Sequence, residues 1–217
     1  IYTLSLHDAL PILVINQRYQ ADDYAYGTSP NVFFKEQLDK LPAGSILLPA
    51  DGEGRNGVYA AERGWQVSAF DLSREGKRKA EALAAKCGVS LRYLVGTLDD
   101  TGFQAASFDV LALIFAHFPA EQKSALHRRL LNLVKPGGTV ILELFAKTHF
   151  ALARQNPALG SPQSPDMMSS ADEIRRDFSG CDILLLEETQ TELHEGCYHN
   201  GLSCVVRFVG RKMCEAA

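Results

Sequence analysis

SILLPADGEGRNGVYAAERGWQVSAFDLS, residues 45–73, decides how the rest of the chain is read. A short apolar run, Ile46 to Leu48, enters a glycine-rich turn spelled Asp51-Gly52-Glu53-Gly54-Arg55-Asn56-Gly57. A helical stretch follows, and a second apolar run, Val67 to Phe70, ends in Asp71. One β-α-β unit with an acid at the tip of its second strand is the pattern of a crevice for a nucleoside-bearing cofactor. Gly52 and Gly54 carry no Cβ, so the backbone there passes close to a ligand. Asp71 stands nineteen positions after Gly52, where its two carboxylate oxygens accept hydrogen bonds from the hydroxyls of a ribose. Asp51 and Leu72 flank these positions and join the candidate cofactor contacts. The backbone N–H groups of Arg55 and Asn56, at the start of the helix, suit a carboxylate; the Arg55 side chain alternatively makes a surface salt bridge.

Outward from this unit, Asn16 to Lys40 reads as an N-terminal arm followed by a short helix: Thr28-Ser29-Pro30-Asn31 is turn chemistry, and Val32 to Leu41 has helical spacing. Gly64 closes the helix of the central unit. Residues 73–87 are strong helix formers that stop at Gly88, and 91–95 reads as a third strand. Val110 to Phe115 is a continuous apolar run, a fourth strand buried on both faces. A helix over 120–133 and a fifth strand over 139–145 follow, joined by Lys135-Pro136-Gly137-Gly138. Residues 146–170 hold three prolines and no clear period, and are expected to lack structure, either as a lid over a substrate or as a surface insert without a role. A capped helix over 170–178 leads to two strands, 183–193 and 202–211. Their connection, Glu195 to Gly201, is too short for a helical crossover, so they pair antiparallel. The expected fold is α/β, a Rossmann-like doubly wound sheet, mostly parallel, of seven strands with an antiparallel C-terminal hairpin. It forms a single domain over 13–217, with 13–44 as arm and first helix.

Gly52-x-Gly54-x-x-Gly57 also spells the dinucleotide fingerprint, so a nicotinamide-dependent oxidoreductase is the competing reading. A dinucleotide needs two mononucleotide-binding halves. No second glycine-rich strand-to-helix turn follows Asp71, and Lys135-Pro136-Gly137-Gly138 leaves a helix rather than entering one.

Five segments carry a more specific signal: NQRYQADDYAYGTSPNVFF (16–34), GEGRNGVYAAERGWQVSAFDLS (52–73), FDVLALIFAHFP (108–119), LVKPGGTVILELF (133–145) and ELHEGCYHNGLSCVVRFVGRK (192–212). In their order and spacing they resemble the class I S-adenosylmethionine-dependent methyltransferases, and within that superfamily the small bacterial tellurite-resistance-type proteins. The resemblance covers nearly the whole chain. It implies S-adenosylmethionine as cofactor and methyl transfer to a small-molecule acceptor such as a thiol or a chalcogen oxyanion; a non-catalytic S-adenosylmethionine-binding protein is a third reading. Two places depart from the family pattern. The acid that often ends the first strand is displaced toward Gly52, in Leu48-Pro49-Ala50-Asp51. Where an acid often follows the third strand, this chain has Gly96-Thr97, with Asp99 and Asp100 just beyond, which points to backbone groups for adenine.

Methyl transfer from a sulfonium is an in-line displacement in which alignment of the reactants supplies about 7–11 kcal/mol of the barrier. A general base is needed only when the nucleophile holds its proton tightly. His117, in Phe115-Ala116-His117-Phe118-Pro119, follows the fourth strand, at the end of the sheet where ligands bind; it serves as a base, orients the substrate, or stabilises its turn. Phe115 joins the cofactor candidates. His199 and Glu195, in the final hairpin turn, are candidate substrate residues, as is Tyr19. Glu143 reads as structural and His194 as solvent-facing. The resemblance implies that the arm, with Arg18, Tyr19, Tyr24, Tyr26 and Gly27, closes over the cofactor. Arg18 would then pair with the methionine carboxylate, and tyrosine rings would pack on the sulfonium. Otherwise the tyrosines cover the edge of the core.

With 217 residues and 46% hydrophobic content the chain can bury one good-sized core. A net charge of −4 gives no support for a broad nucleic-acid surface, and Arg74, Lys77, Arg78 and Lys79 read as the solvated face of a helix. Five scattered cysteines without CxxC spacing fit reduced thiols of a cytoplasmic protein better than a disulfide frame or a zinc site, so no metal is expected. No apolar run approaches the roughly 20 residues that span a bilayer. Residues 3–12 look like a translated frame of a sequencing-library adapter, so 1–12, with His7 and Asp8, are set aside.

Overall fold

The computed structural model describes residues 16–214; the segment set aside above lies outside them. Its elements are α1 (Val32–Leu38), β1 (Ser45–Pro49), α2 (Arg55–Glu62), β2 (Gln66–Asp71), α3 (Arg74–Lys86), β3 (Arg92–Val95), β4 (Phe108–Ile114), α4 (Ala120–Leu133), β5 (Val134–Phe145), α5 (His149–Gln155), α6 (Ala171–Asp177), β6 (Cys181–Glu195) and β7 (His199–Lys212). The seven strands form one sheet in the order β3-β2-β1-β4-β5-β7-β6. Pairs β1–β2, β2–β3, β1–β4 and β4–β5 are parallel, whereas β7 runs antiparallel to both β5 and β6. This is the doubly wound sheet expected, with its antiparallel hairpin.

Alternation along the central strands builds a core on each face. Ile46 and Leu48 of β1, with Val110 and Ala112 of β4, pack with Phe34 and Leu38 of α1 and Ala60 of α2. Leu47, Leu111 and Leu113 face the other way, toward Leu130 of α4 and Ile174 and Phe178 at α6. Because both faces are covered, these strands read as unbroken apolar runs. Each fully buried Leu, Ile or Phe contributes about 1.5–3 kcal/mol. The chain turns to opposite sides of β1, reaching β2 on one flank and β4 on the other, so the crevice above the carboxyl ends of β1 and β4 is the switch point where α/β sheets bind ligands.

Three expectations need correction. Residues 146–170 are structured: α5 is followed by two 3₁₀ turns, Pro157–Leu159 and Pro165–Met167, capped by Asn156 and Ser164. His149 stacks on Phe145 at 4.0 Å and bonds to Gly160 and Cys204, so tertiary contacts order a segment with little period of its own. Strand β5 begins at Val134, before Lys135-Pro136-Gly137-Gly138, and its pairing with β4 shifts register between Phe108 and Val110. Lys79 does not belong to a solvated face, being 3% exposed. The capped helix was legible: Ser170 and Glu173 form a reciprocal capping box at α6. Among the described residues no helix is long and apolar enough to cross a membrane.

Candidate functional site

Strand β1 leaves the sheet through a turn with left-handed residues at Ala50 (φ 53°), Gly52 (φ 55°) and Gly54 (φ 85°). The first of these positions is an alanine, so the turn starts two residues earlier than its glycines suggest. A Cβ on Gly52 would collide with the Tyr19 hydroxyl, and one on Gly54 with Ala80. The Gly52 N–H donates to Asp71 Oδ2 at 3.1 Å, and the Ser73 N–H donates to Asp71 Oδ1 at 2.8 Å. Each carboxylate oxygen keeps acceptor capacity beyond these bonds. Burial raises the Asp71 carboxyl above the usual range, opposed by the N–H groups of Ser73 and Gly52. Leu72, 42% exposed, stands beside it as an apolar surface.

Asp51 turns the other way. Its Oδ2 accepts from Gly57 N at 3.2 Å, while Oδ1 is buried without a partner among the described residues. Burial pushes this carboxyl up to about 8, against the Gly57 bond and the Arg55 charge. Helix α2 starts at Arg55 behind the left-handed Gly54, and no side chain caps its N-terminus. The Asn56 side chain is otherwise engaged: its Oδ1 accepts from Asn31 N at 2.9 Å.

The arm is fastened across this turn. Ser73 Oγ donates to Asn16 Oδ1 at 2.5 Å. Glu53, between the two loop glycines, accepts the Ala25 N–H at 2.8 Å and pairs with Lys79 Nζ at 2.8 Å; that ammonium also donates to the Asp23 carbonyl at 2.7 Å. Tyr24 donates to the Lys79 carbonyl at 3.1 Å. Tyr19, a candidate substrate residue, lies against Gly52 and Gly76. Arg18 donates to the Tyr26 hydroxyl at 3.1 Å and lies 4.5 Å over the Tyr198 ring. Gly27 faces Gly196 of the β6–β7 turn, where the Cys197 N–H donates to the Ala25 carbonyl at 2.8 Å. Arm and hairpin therefore form one cover.

Beyond β4 and β5 lies an aromatic and histidine cluster. Phe115 is left-handed (φ 50°), a strained conformation for an aromatic residue and a hint of function. Its ring is 4.6 Å from both Phe145 and His199. His117 stacks parallel to Phe145 at 5.7 Å, and its Nδ1 bonds to the Met167 carbonyl at 3.3 Å. Burial pushes the His117 imidazole down to about 3, against the Met167 bond. His199 Nδ1 meets Glu195 Oε2 at 3.0 Å, and Arg55 reaches the same oxygen at 2.7 Å. Burial raises the Glu195 carboxyl, but His199 and Arg55 outweigh it and hold it at about 2. The Arg55–Glu195 bridge is therefore buried, not at the surface. Asn31 donates to Glu195 at 2.9 Å and to Glu143 at 2.7 Å, and Arg207 donates to Glu143 at 2.6 Å. Glu143 is a structural acid, and His194 is exposed.

The structure thus gathers Gly52, Gly54, Asp71, Leu72 and Tyr19 on one side, and Phe115, His117, Glu195 and His199 on the other, with Tyr26 4.5 Å from His199 and Arg18 bonded to Tyr26. Gly27 and the Asn56 side chain serve the cover. Sequence reasoning missed Glu53, Lys79, Asn31, Phe145, His149 and the Met167 carbonyl. Only Asn31 carried a local signal, as the cap of α1, where it accepts from Phe34 N at 2.8 Å. Near β3, Asp100 bonds to Thr97 within its own turn and Asp99 pairs with Arg129.

These residues fit an adenosyl sulfonium: spare carboxylate lone pairs at Asp71, glycines that a Cβ would block, and a cation at Arg18 with no carboxylate partner among the described residues. A methyltransferase-domain family model matches residues 46–138. The ubiquinone biosynthesis O-methyltransferase of Xanthomonas axonopodis pv. citri is 33% identical over 116 residues, 52% of this chain and 48% of that protein. The chain thus spans about half the length of the curated relatives it matches. A solved structure described by the conversion of a disulfide bond into a thioacetal group during echinomycin biosynthesis superposes with a TM-score of 0.72 at 20% identity, covering 94% of this chain and 93% of that one. TehB from Haemophilus influenzae superposes at 0.66 with 13% identity, over 91% of this chain and 65% of that one. At such identities the two structures speak for the fold, and the matched domain speaks for the cofactor. Residues 46–138 of the chain thus match the methyltransferase domain, on a fold shared with solved methyltransferase structures.

Proposed function

We propose that this protein transfers a methyl group from S-adenosylmethionine to a small-molecule acceptor. The observation that carries the proposal is the clasp of Gly52 and Asp71 beneath a cover made by the arm and the hairpin. Asp71 holds the ribose hydroxyls, with Leu72 against the adenine. Gly52 and Gly54 admit the cofactor to the backbone, and Asp51 shapes the turn through Gly57. Arg18 and the N–H groups of Arg55 and Asn56 take the methionine carboxylate. Tyr19 and Tyr26 exclude water, and Gly27 lets the hairpin close on the arm. Bound there, the cofactor supplies an electrophilic methyl group. Phe115 divides that side from the acceptor side, where His117 orients the nucleophile or accepts its proton, and Glu195 fixes the ring of His199.

The sequence resemblance suggests a thiol or chalcogen oxyanion as acceptor, and the curated relatives are O-methyltransferases over the matched half. Separate calorimetric titrations with S-adenosylhomocysteine and NADH test the cofactor assignment. Binding of S-adenosylhomocysteine, with none of NADH, is the expected result; tight binding of NADH alone would overturn the proposal.

A further inference from the structure

His117 and His199 meet the same two rings, Phe115 and Phe145. A carbonyl oxygen accepts and cannot donate, so the bond from His117 Nδ1 to Met167 places the ring proton on Nδ1 and the lone pair on Nε2. That Nε2 is buried and has no hydrogen-bond partner among the described residues. The same reasoning applies at His199: Nδ1–H donates to the Glu195 carboxylate, leaving a lone pair on Nε2. His149 differs, because its Nε2 donates to Gly160 at 2.9 Å while Nδ1 accepts from Cys204 N at 3.3 Å. The cluster therefore holds one buried imidazole acceptor that lacks a donor, His117 Nε2, and a buried acceptor left unmatched is costly.

Apart from Arg18, which the methyl-transfer reading assigns to the methionine carboxylate, positive charge around the cluster is already committed. Arg55 pairs with Glu195, Arg207 with Glu143, and Lys147 with Glu173. Lys123 is held by the carbonyls of Met168 and Asp166 and by Glu173. With Arg18 on the cofactor carboxylate, a chalcogen oxyanion would enter a site of lone pairs and aromatic faces with no second cation to meet it. A neutral ring bearing an X–H group supplies both the missing donor and a flat apolar body for Phe115 and Tyr26.

Resting on the methyl-transfer reading, we infer that the acceptor is a neutral aryl chalcogenol, a phenol or aromatic thiol, whose X–H hydrogen is bound by His117 Nε2, and not a chalcogen oxyanion. In the transfer a lone pair on X forms the new X–C bond, and the electrons of the broken C–S bond stay on sulfur. The X–H proton passes to Nε2 and from there to water. Positive charge moves from sulfonium to imidazole, so the site gains no net charge.

Calorimetry on protein saturated with S-adenosylhomocysteine, using catechol, thiophenol and selenite, tests this, with ¹⁵N NMR of the His117 ring as a second readout. Catechol or thiophenol is expected to bind at least about tenfold more tightly than selenite, the two arms separating oxygen from sulfur acceptors. His117→Phe keeps a ring against Phe145 but should weaken aryl binding by about tenfold, with S-adenosylhomocysteine affinity unchanged. His117→Gln, which restores an acceptor, should recover most of the loss. In the wild type the Nε2 resonance should shift on aryl binding. Tighter selenite binding, no aryl binding, wild-type aryl affinity in His117→Phe, or an unmoved Nε2 resonance at saturation would each overturn the inference; the last decides the matter if the variants do not fold. Failure of the wild type to bind S-adenosylhomocysteine would instead remove the methyl-transfer reading on which the inference stands.

Discussion

The Gly52 N–H donates to the Asp71 carboxylate at 3.1 Å, tying the tip of β1 to the tip of β2. The bond orients the acid across the mouth of the crevice while leaving lone pairs on both oxygens. Under the proposed function, Asp71→Ala removes the acceptor for two ribose hydroxyls. Hydrogen bonds to a charged group are each worth about 1.5–3 kcal/mol, so S-adenosylhomocysteine affinity should fall on the order of a hundredfold or more in calorimetry. Unchanged affinity would show that the ribose lies elsewhere.

Asp51 gives the protein a distinctive pH response. Burial holds its carboxyl at about 8 in the folded protein, whereas an unfolded aspartate titrates near ~3.9. The native state therefore keeps a proton that the unfolded chain has released. The resulting stability is complete below the unfolded value and is lost as pH rises through about 8. His117, His149 and His199 are pushed down by burial and act in the opposite sense, through stability lost as pH falls below the ~6.5 of a free imidazole. Between roughly pH 6.5 and 8 wild-type stability in urea should decline, and Asp51→Asn should flatten that decline. Parallel profiles for the two proteins would refute the assignment.

Glu53 and Lys79 form an ion pair whose side chains are 2% and 4% exposed, and both hold the arm. Removing one partner of such a pair strands a buried charge, at a cost of about 3–5 kcal/mol. Lys79→Met should therefore lower stability by that order and open residues 16–27 to limited proteolysis. The double variant with Glu53→Gln should regain part of the stability while the arm stays labile. An arm as protease-resistant as in the wild type would show that the pair does not hold it.

Ala50 occupies a left-handed position, φ 53°. That conformation costs an L-residue roughly 1–2 kcal/mol, more than the extra chain entropy lost by glycine, about 0.5–1 kcal/mol. Ala50→Gly should raise stability by up to about 1 kcal/mol, seen as a higher urea midpoint at constant slope. A lower midpoint would mean that the alanine methyl contributes packing that outweighs the strain.

What could be read locally was read well. Apolar runs at β1, β2 and β4, glycine stops at 64 and 88, and the Ser170 cap depend on neighbours within a few residues, and each element formed where its pattern lies. Element ends moved by one to three residues at most places, as termini fray, and by five at the start of β5. The large misses were the segment 146–170, ordered by distant contacts to Phe145 and Cys204, and the Lys79 side chain, whose partner is Glu53.

The sequence by itself determined the β-α-β crevice and the place of Asp71 at the tip of its second strand, because the period of apolar residues and the spacing of glycines act over short stretches of chain. Only the tertiary structure decided the charge pairing, the joint cover of arm and hairpin, and the tautomer of His117. Arg55 meets Glu195 across 140 residues and His117 meets Met167 across 50. Contacts at such separations follow from how the sheet brings its strand ends together, and no local pattern encodes them.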